Sequence, residues 1–197
     1  IGERHGVGDF ALPHTETRGR TWGHIAEVMK TRAAVIYEMQ KPRPYATSRP
    51  MVIEDVDLDP PGEGEVLLRI RAAGLCHSDL STVNGARPRE LPMVLGHEAA
   101  GEVLELGPGV RDLKVGDHVI LVFVPSCRHC IPCMEGRPAL CEPAAKANGA
   151  GTLISGAVRL SKNGQRVLHH VGVSAFAEHA VVSQNSVVRI DHSLPFE

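Results

Sequence analysis

The sequence predicts a mainly β fold: a closed or nearly closed barrel of short strands, with few and short helices. Two observations predict it. Short segments rich in Val, Ile and Leu recur along the chain, and several alternate apolar with polar residues, the period of a half-buried strand. Turn formers stand between them. The 197 residues include 20 glycines and 14 prolines and few aromatics, a balance that suits many strands joined by tight turns better than a helical bundle. At this length the chain can bury one good core and carry a small satellite lobe.

Taken in order, Lys30–Tyr37 reads as a first strand. Val52–Leu58 partly alternates and stops at Asp59-Pro60-Pro61-Gly62. Glu65–Arg71 alternates more clearly and leads into Cys76. Ala100–Leu106 is closed by Gly107-Pro108-Gly109, and Asp117–Val122 follows the turn at Val115-Gly116. Phe176–Val182 and Ser186–Ile190 complete the set. The best helix is one short stretch at about Ser78–Val83, with Ser78 or Asp79 as its cap. His118, in an apolar strand, reads as a packed or surface histidine, and His169-His170 as a solvated pair. The charges between Glu142 and Lys162 read as an ordinary exposed face.

Residues 1–28 are polar and aperiodic and form an N-terminal extension. Either Met29 is the true start and the preceding segment translated leader, or the extension is a genuine flexible one. A formal net charge of −2, with no Lys/Arg cluster on any predicted face, excludes a nucleic-acid or anionic-membrane footprint. No apolar run reaches the length of a membrane span, and the first residues lack a signal-peptide core. The expected location is the cytoplasm.

The chemistry is concentrated in the cysteines. Four of the five stand at Cys127, Cys130, Cys133 and Cys141, spaced C-x2-C-x2-C-x7-C. Thiolates hold zinc tetrahedrally at about 2.3 Å, and short loops let neighbouring sulfurs converge on one ion. Two rivals remain. Disulfides suit these spacings less well and need an oxidising compartment. An iron–sulfur cluster shares the C-x2-C-x2-C start, but there a fourth cysteine follows after three residues and precedes proline, whereas here Glu142 follows Cys141. A closed four-thiolate cage has no position for substrate, so its role is structural. His129 within the loop could compete as a ligand, although four thiolates already fill the tetrahedron. The fifth cysteine opens Gly74-Leu75-Cys76-His77-Ser78-Asp79, and Gly96-His97-Glu98 follows about twenty residues on. Cys76 and His97 both sit at the ends of strand-like segments, with Asp79 and Glu98 close in sequence to support a metal-bound histidine. That is a mixed site with an open position, as a catalytic zinc requires.

These motifs carry a resemblance. Gly96-His97-Glu98-Ala99-Ala100-Gly101, then five residues to Gly107 and two more to Val110, is similar to the zinc signature of the medium-chain alcohol dehydrogenases. The Cys76 segment resembles the one carrying that family's first catalytic ligand, and the four-cysteine run resembles its structural-zinc lobe. The likeness runs from about Thr31 to Glu197 and favours the longer members, the animal-type and glutathione-dependent formaldehyde dehydrogenases, over the zinc-free quinone reductases. It implies a GroES-like, partly open β-barrel over 29–197, with a zinc lobe protruding at about 125–145. By the same resemblance Cys76 and His97 would ligate a catalytic zinc, with Glu98 behind the metal or an occasional ligand. Asp79 would orient His97, Ser78 would take the proton of a zinc-bound alcohol, and His77 would face the cofactor pyrophosphate. The resulting alkoxide would pass hydride to NAD or NADP. The partners implied are a small alcohol or aldehyde and, for the complete protein, further copies of itself.

The chain departs from the family at two places. Ser81 stands where many members have a histidine that passes the proton to solvent. The family's third catalytic ligand is a cysteine beyond Glu197, and no sixth cysteine is present. Nor does a G-x-G-x-x-G follow any strand, since Ile154 occupies the third glycine place after Gly149-Ala150-Gly151. The nucleotide-binding domain is therefore expected outside these residues, and the 197-residue chain alone is expected to be inactive. The expected function is the zinc-binding catalytic half of an alcohol or aldehyde dehydrogenase. The alternative is a non-enzymatic zinc-binding GroES-like module.

Overall fold

A computed structural model describes residues 27–196. Residues 1–26 lie outside it, and with them all of the expected extension except Glu27 and Val28, which run exposed into the first strand. The elements are β1 (Met29–Ile36), α1 (Tyr45–Ser48), β2 (Met51–Leu58), β3 (Glu65–Gly74), α2 (His77–Val83), β4 (Met93–Val94), β5 (Glu98–Leu106) and β6 (His118–Leu121). Then come α3 (Ile131–Met134), α4 (Glu142–Ala150), β7 (Leu160–Lys162), β8 (Gln165–His169), β9 (His179–Ser183) and β10 (Val187–Arg189).

The strands form a barrel and a sheet. The barrel is closed in the order β1-β2-β7-β8-β4, with β4 pairing back onto β1; beside it lies an open sheet ordered β10-β6-β5-β3-β9. In β1 burial alternates along the strand. Thr31, Ala33 and Val35 face inward, while Lys30 and Arg32 face out opposite Asp57 and Asp55 of β2. The barrel core packs Val35, Val56, Leu58, Leu160 and Val167; the sheet core packs Val66, Leu68, Val103, Val119 and Val182. The segment Phe176–Glu178 joins the two. Ala34 N–H donates to the Phe176 carbonyl and Ile70 N–H to the Glu178 carbonyl, at 2.8 and 2.9 Å.

A close backbone crossing ties the end of β5 to the start of β3. Gly107 N–H donates to the Glu65 carbonyl at 2.8 Å, and a Cβ on Gly107 would lie 1.9 Å from the Gly62 carbonyl oxygen. Backbone cannot yield there as a flexible side chain would. Gly107→Ala is therefore expected to destabilise the fold by about 2–3 kcal/mol, read as a lowered denaturant midpoint at unchanged slope.

The structure corrects the sequence reading in several places. The short helix over Ser78–Val83 exists, but its cap is Cys76. Asp79 lies inside the first turn, where its Oδ2 accepts the Cys76 N–H at 3.2 Å. Cys76 keeps an extended backbone, φ −97 and ψ 149, and the helical conformation begins at His77, which decides the cap. The region 142–162 is more than an exposed face. Glu142 and Lys146 are exposed, but α4 buries Ala144 and Ala147 and ends at Gly151 with φ 67, while Arg159 pairs with the interior Glu65. His169 and His170, expected in solvent, are each 1% exposed. His169 Nε2 accepts the Arg159 N–H at 3.1 Å, and desolvation first, then the Arg159 charge, pushes its pKa down to about 3. His118 is half-buried, its ring tilted against that of His192 at 4.3 Å.

Candidate metal centres

The four-cysteine run closes on itself. Sγ atoms of Cys127, Cys130, Cys133 and Cys141 all lie within 4.8 Å of one another, and none is in a disulfide. Backbone donors converge on the sulfurs: Cys127 N–H on Cys141 Sγ at 3.2 Å, and His129 and Cys130 N–H on Cys127 Sγ at 3.4 and 3.3 Å. Those last two N–H groups hold the Cys127 thiol down at about 6. Desolvation foremost pushes the Cys133 thiol up to about 12. One thiolate thus forms readily in the cluster while another is opposed. A divalent cation lets all four ionise together, so the donor set fits a metal. His129 stays outside the cluster and contributes only its N–H.

The second centre is made by strand register. β3 and β5 pair antiparallel with Gly74 opposite Glu98, so the residues just past the end of one strand and at the start of the other meet. Cys76, His97 and Glu98 each offer a ligand atom, and all these atoms lie within 4.8 Å of one another. His97 is buried, Cys76 is half-buried, and Glu98 reaches the cluster from an exposed position. Gly96 makes the turn into His97 at φ 88, where any Cβ would lie 2.6 Å from the Phe176 backbone nitrogen.

Asp79 organises this centre from beneath. Its Oδ1 accepts the Gly96 N–H at 3.1 Å and lies 3.3 Å from His97 Nδ1; its Oδ2 takes the Cys76 N–H. Desolvation acts to raise its pKa. The His170 ring, the Gly96 N–H, the charge partner His97 and the Cys76 N–H outweigh it and hold the carboxyl below the ordinary aspartate value. An ionised carboxylate only accepts, so His97 Nδ1 carries a proton, and in the neutral imidazole the lone pair then lies on Nε2. Ser78 Oγ stands 3.2 Å from that Nε2. His77 projects outward one residue away, its Nδ1 3.3 Å from Ser81 Oγ. Beside Cys76 and His77 opens a cleft of about 980 Å³, walled by Tyr45, Met51, Leu75, Leu80, Val83 and Phe176.

Two residues that the sequence reading does not place at this site pack against His97. The Phe123 ring meets it edge-on at 5.5 Å, and the His170 ring at 5.3 Å. His170 Nδ1 is also 3.2 Å from Asp79 Oδ1. Their sequence signal is weak: the apolar neighbours Leu168 and Val173 fit the burial of His170 but give no destination, and Phe123, between Val122 and Val124, remains about half exposed beside His97.

A small closed barrel joined to an open sheet, with one four-thiolate cluster and one Cys/His/Glu cluster, defines the metal-binding domain of zinc-dependent alcohol dehydrogenases. The chain belongs to that family: residues 62–192 match the alcohol dehydrogenase GroES-like domain. An alcohol dehydrogenase class-3 of Drosophila melanogaster is 42% identical over 172 residues, covering 87% of this chain and 43% of the relative. An S-(hydroxymethyl)glutathione dehydrogenase of Synechocystis is 41% identical over 164 residues, covering 83% and 42%. Among solved structures, an alcohol dehydrogenase zinc-binding domain protein from Burkholderia ambifaria superposes with a TM-score of 0.77 at 33% identity, over 86% of this chain and 44% of that one. The benzyl alcohol dehydrogenase of Acinetobacter calcoaceticus gives 0.73 at 31%, over 85% and 43%. The chain thus spans less than half the length of the relatives it matches.

Proposed function

We propose that these residues are the zinc-binding, alcohol-positioning half of an NAD(P)-dependent alcohol or aldehyde dehydrogenase. The observation that carries the reading is the convergence of Cys76, His97 and Glu98 beside the Ser78 hydroxyl, with His97 already turned by Asp79. When bound, zinc supplies a Lewis acid that lowers the pKa of an alcohol, and a nicotinamide accepts the hydride. The protein's own part is then specific. Cys76 Sγ and His97 Nε2 hold the metal, and Glu98 closes the set or stands behind it. The Ser78 hydroxyl lies beside the metal-facing nitrogen, where it can take the substrate's hydroxyl proton. Ser81 Oγ contacts His77 Nδ1 and donates to the His77 carbonyl, so it helps keep that exposed imidazole aimed at an anionic group such as a cofactor pyrophosphate. The four-cysteine cage holds a structural zinc. The substrate is a small alcohol or aldehyde, the complete protein a cytoplasmic homo-oligomer.

The five cysteines are consumed by the cage and Cys76. The 197-residue chain by itself is accordingly expected to hold one zinc firmly, a second weakly, and to turn over no alcohol. Two tightly bound zincs on that chain would overturn this. For the natural full-length polypeptide, metal analysis and NAD(P)+ reduction with benzyl alcohol or S-hydroxymethylglutathione test the reading. The expected result is turnover that Cys76→Ser abolishes while the cage zinc stays. No turnover with any alcohol, in protein carrying cage zinc alone, would leave the non-enzymatic module.

A further inference from the structure

We propose that His170 is a positioning residue for the second centre: it braces the Asp79 oxygen that orients His97 and thereby helps keep His97 Nε2 free for a metal. This rests on the reading of His97 as a ligand and extends it to a residue more than seventy positions away.

Three features of the molecule carry it. The first is burial. His97, Asp79 and His170 are 5%, 4% and 1% exposed, and His170 Nδ1 lies 3.2 Å from the same Asp79 Oδ1 that meets His97 Nδ1. The approach is bent away from the ideal hydrogen-bond line, so the contact is chiefly electrostatic, and burial strengthens it. An imidazole packed only to fill space could face any way. This one sets a nitrogen against a carboxylate.

The second feature is the tautomer this dictates. Asp79 already receives the Gly96 and Cys76 N–H groups, which favour its ionised form. Facing an ionised acceptor, His170 Nδ1 must carry the proton, since the other tautomer would set lone pair against lone pair. Both imidazoles then present N–H to one oxygen, and the His97 ring meets both the His170 and the Phe123 rings edge-on. Removing His170 would leave Asp79 with one restraint fewer and His97 with one wall fewer.

The third is backbone strain. Directly after His170, Val171 has φ 47, Gly172 φ 72 and Ser174 φ 57. A β-branched residue in the left-handed region is an outlier that persists only where its surroundings over-determine it. The surroundings here are the strand end that delivers His97. His170 N–H donates to Ser174 Oγ at 2.9 Å and to the Val94 carbonyl at 3.3 Å, while Phe176 and Ala175 N–H donate to the Leu95 and Gly96 carbonyls, each at 2.9 Å. The strained turn is stitched to the residues immediately before His97, and it aims His170 inward.

The test uses the natural full-length polypeptide with cobalt(II) in place of zinc. His170→Phe keeps a ring and removes the N–H. It is expected to weaken metal binding at the Cys76 centre by about 10-fold or more and to shift the cobalt ligand-field bands, with the cage metal retained. His170→Asn, which can donate again, should recover part of the affinity. In the unmutated protein, nitrogen NMR should report His170 as the Nδ1–H tautomer, a readout that stands even if the phenylalanine variant fails to fold. Unchanged cobalt binding and spectrum in His170→Phe, or an Nε2–H tautomer, would overturn the proposal. Cys76→Ser separates the two readings. If it leaves metal binding intact, the ligand reading falls and this proposal with it. If it removes the metal while His170→Phe does not, only the role of His170 falls.

Discussion

Cys141→Ser is expected to release the cage metal and unfold the lobe around it. Of the four sulfurs Cys141 is the one fully buried, and it stands at the start of α4, which packs Ala144 and Ala147 into the body of the protein. The other three lie on a half-exposed loop whose one short helix, α3, is four residues long. Cys141 is thus the point where lobe and body are joined through the cage. A serine hydroxyl does not ionise near neutral pH and cannot replace a thiolate ligand. Loss of a structural metal belongs to the small class of changes costing about 4 kcal/mol or more, and for a chain of this size each kcal/mol lowers Tm by about 2–4 °C. The expected result is one zinc fewer per chain, a Tm lower by about 8–16 °C, and new proteolytic cuts between residues 125 and 145. Stripping metal from the unmutated protein should reproduce all three. Zinc retained in Cys141→Ser would show that the sulfurs do not form one site, and a brown chromophore in the native protein would replace zinc with an iron–sulfur cluster.

Glu65→Ala is expected to cost about 3–5 kcal/mol, the range for breaking a buried ion pair by removing one partner. Glu65 opens β3 and is 1% exposed. Its Oε2 accepts the Gly62 N–H at 2.9 Å and Arg159 Nε at 2.8 Å, and its Oε1 accepts Ser155 Oγ at 2.8 Å. Two separated chain segments, the Gly62–Glu65 turn and the stretch from Ser155 to Arg159, are therefore joined through one carboxylate. Its removal leaves Arg159, itself only 24% exposed, without a counter-charge and leaves the Gly62 and Ser155 donors unpaired. At about 2–4 °C per kcal/mol the Tm should fall by roughly 6–20 °C. Glu65→Leu combined with Arg159→Met removes both charges and should recover most of the loss. A double variant no better than Glu65→Ala would show that the hydrogen bonds, rather than the charge pair, carry the stability. Neither residue touches the metal centres, so metal content should be unaffected wherever the variants remain folded.

How far the site was legible follows from where its parts lie in the chain. The cage occupies fifteen consecutive positions, and its spacing alone announces it, because short loops leave the sulfurs little choice but to converge. Cys76 and His97 could be singled out because each stands at a strand end near a carboxylate. The β3–β5 pairing, with Gly74 opposite Glu98, is what brings them together. β4 has two residues and so no period to read, although it closes the barrel. α4 carries its signals in the sequence. Pro143 in its first turn, alanines through its middle and Gly151 at its end are helix signals, while the charges from Glu142 to Lys162 suggest only an ordinary exposed face.

By itself the sequence determined the mainly β class, most strand positions, the thiolate cage and the identity of the family. All of these are written in short-range pattern: alternation at period two, turn residues and ligand spacing. Only the tertiary structure decided that Glu65 meets Arg159, that His169 and His170 leave solvent, and that Asp79 serves as a hub joining Cys76, Gly96, His97 and His170. The reason is physical. A buried polar group must find a partner, and that requirement is strict. Which partner it finds depends on strand register and a strained turn, and those bring together residues that local pattern keeps far apart.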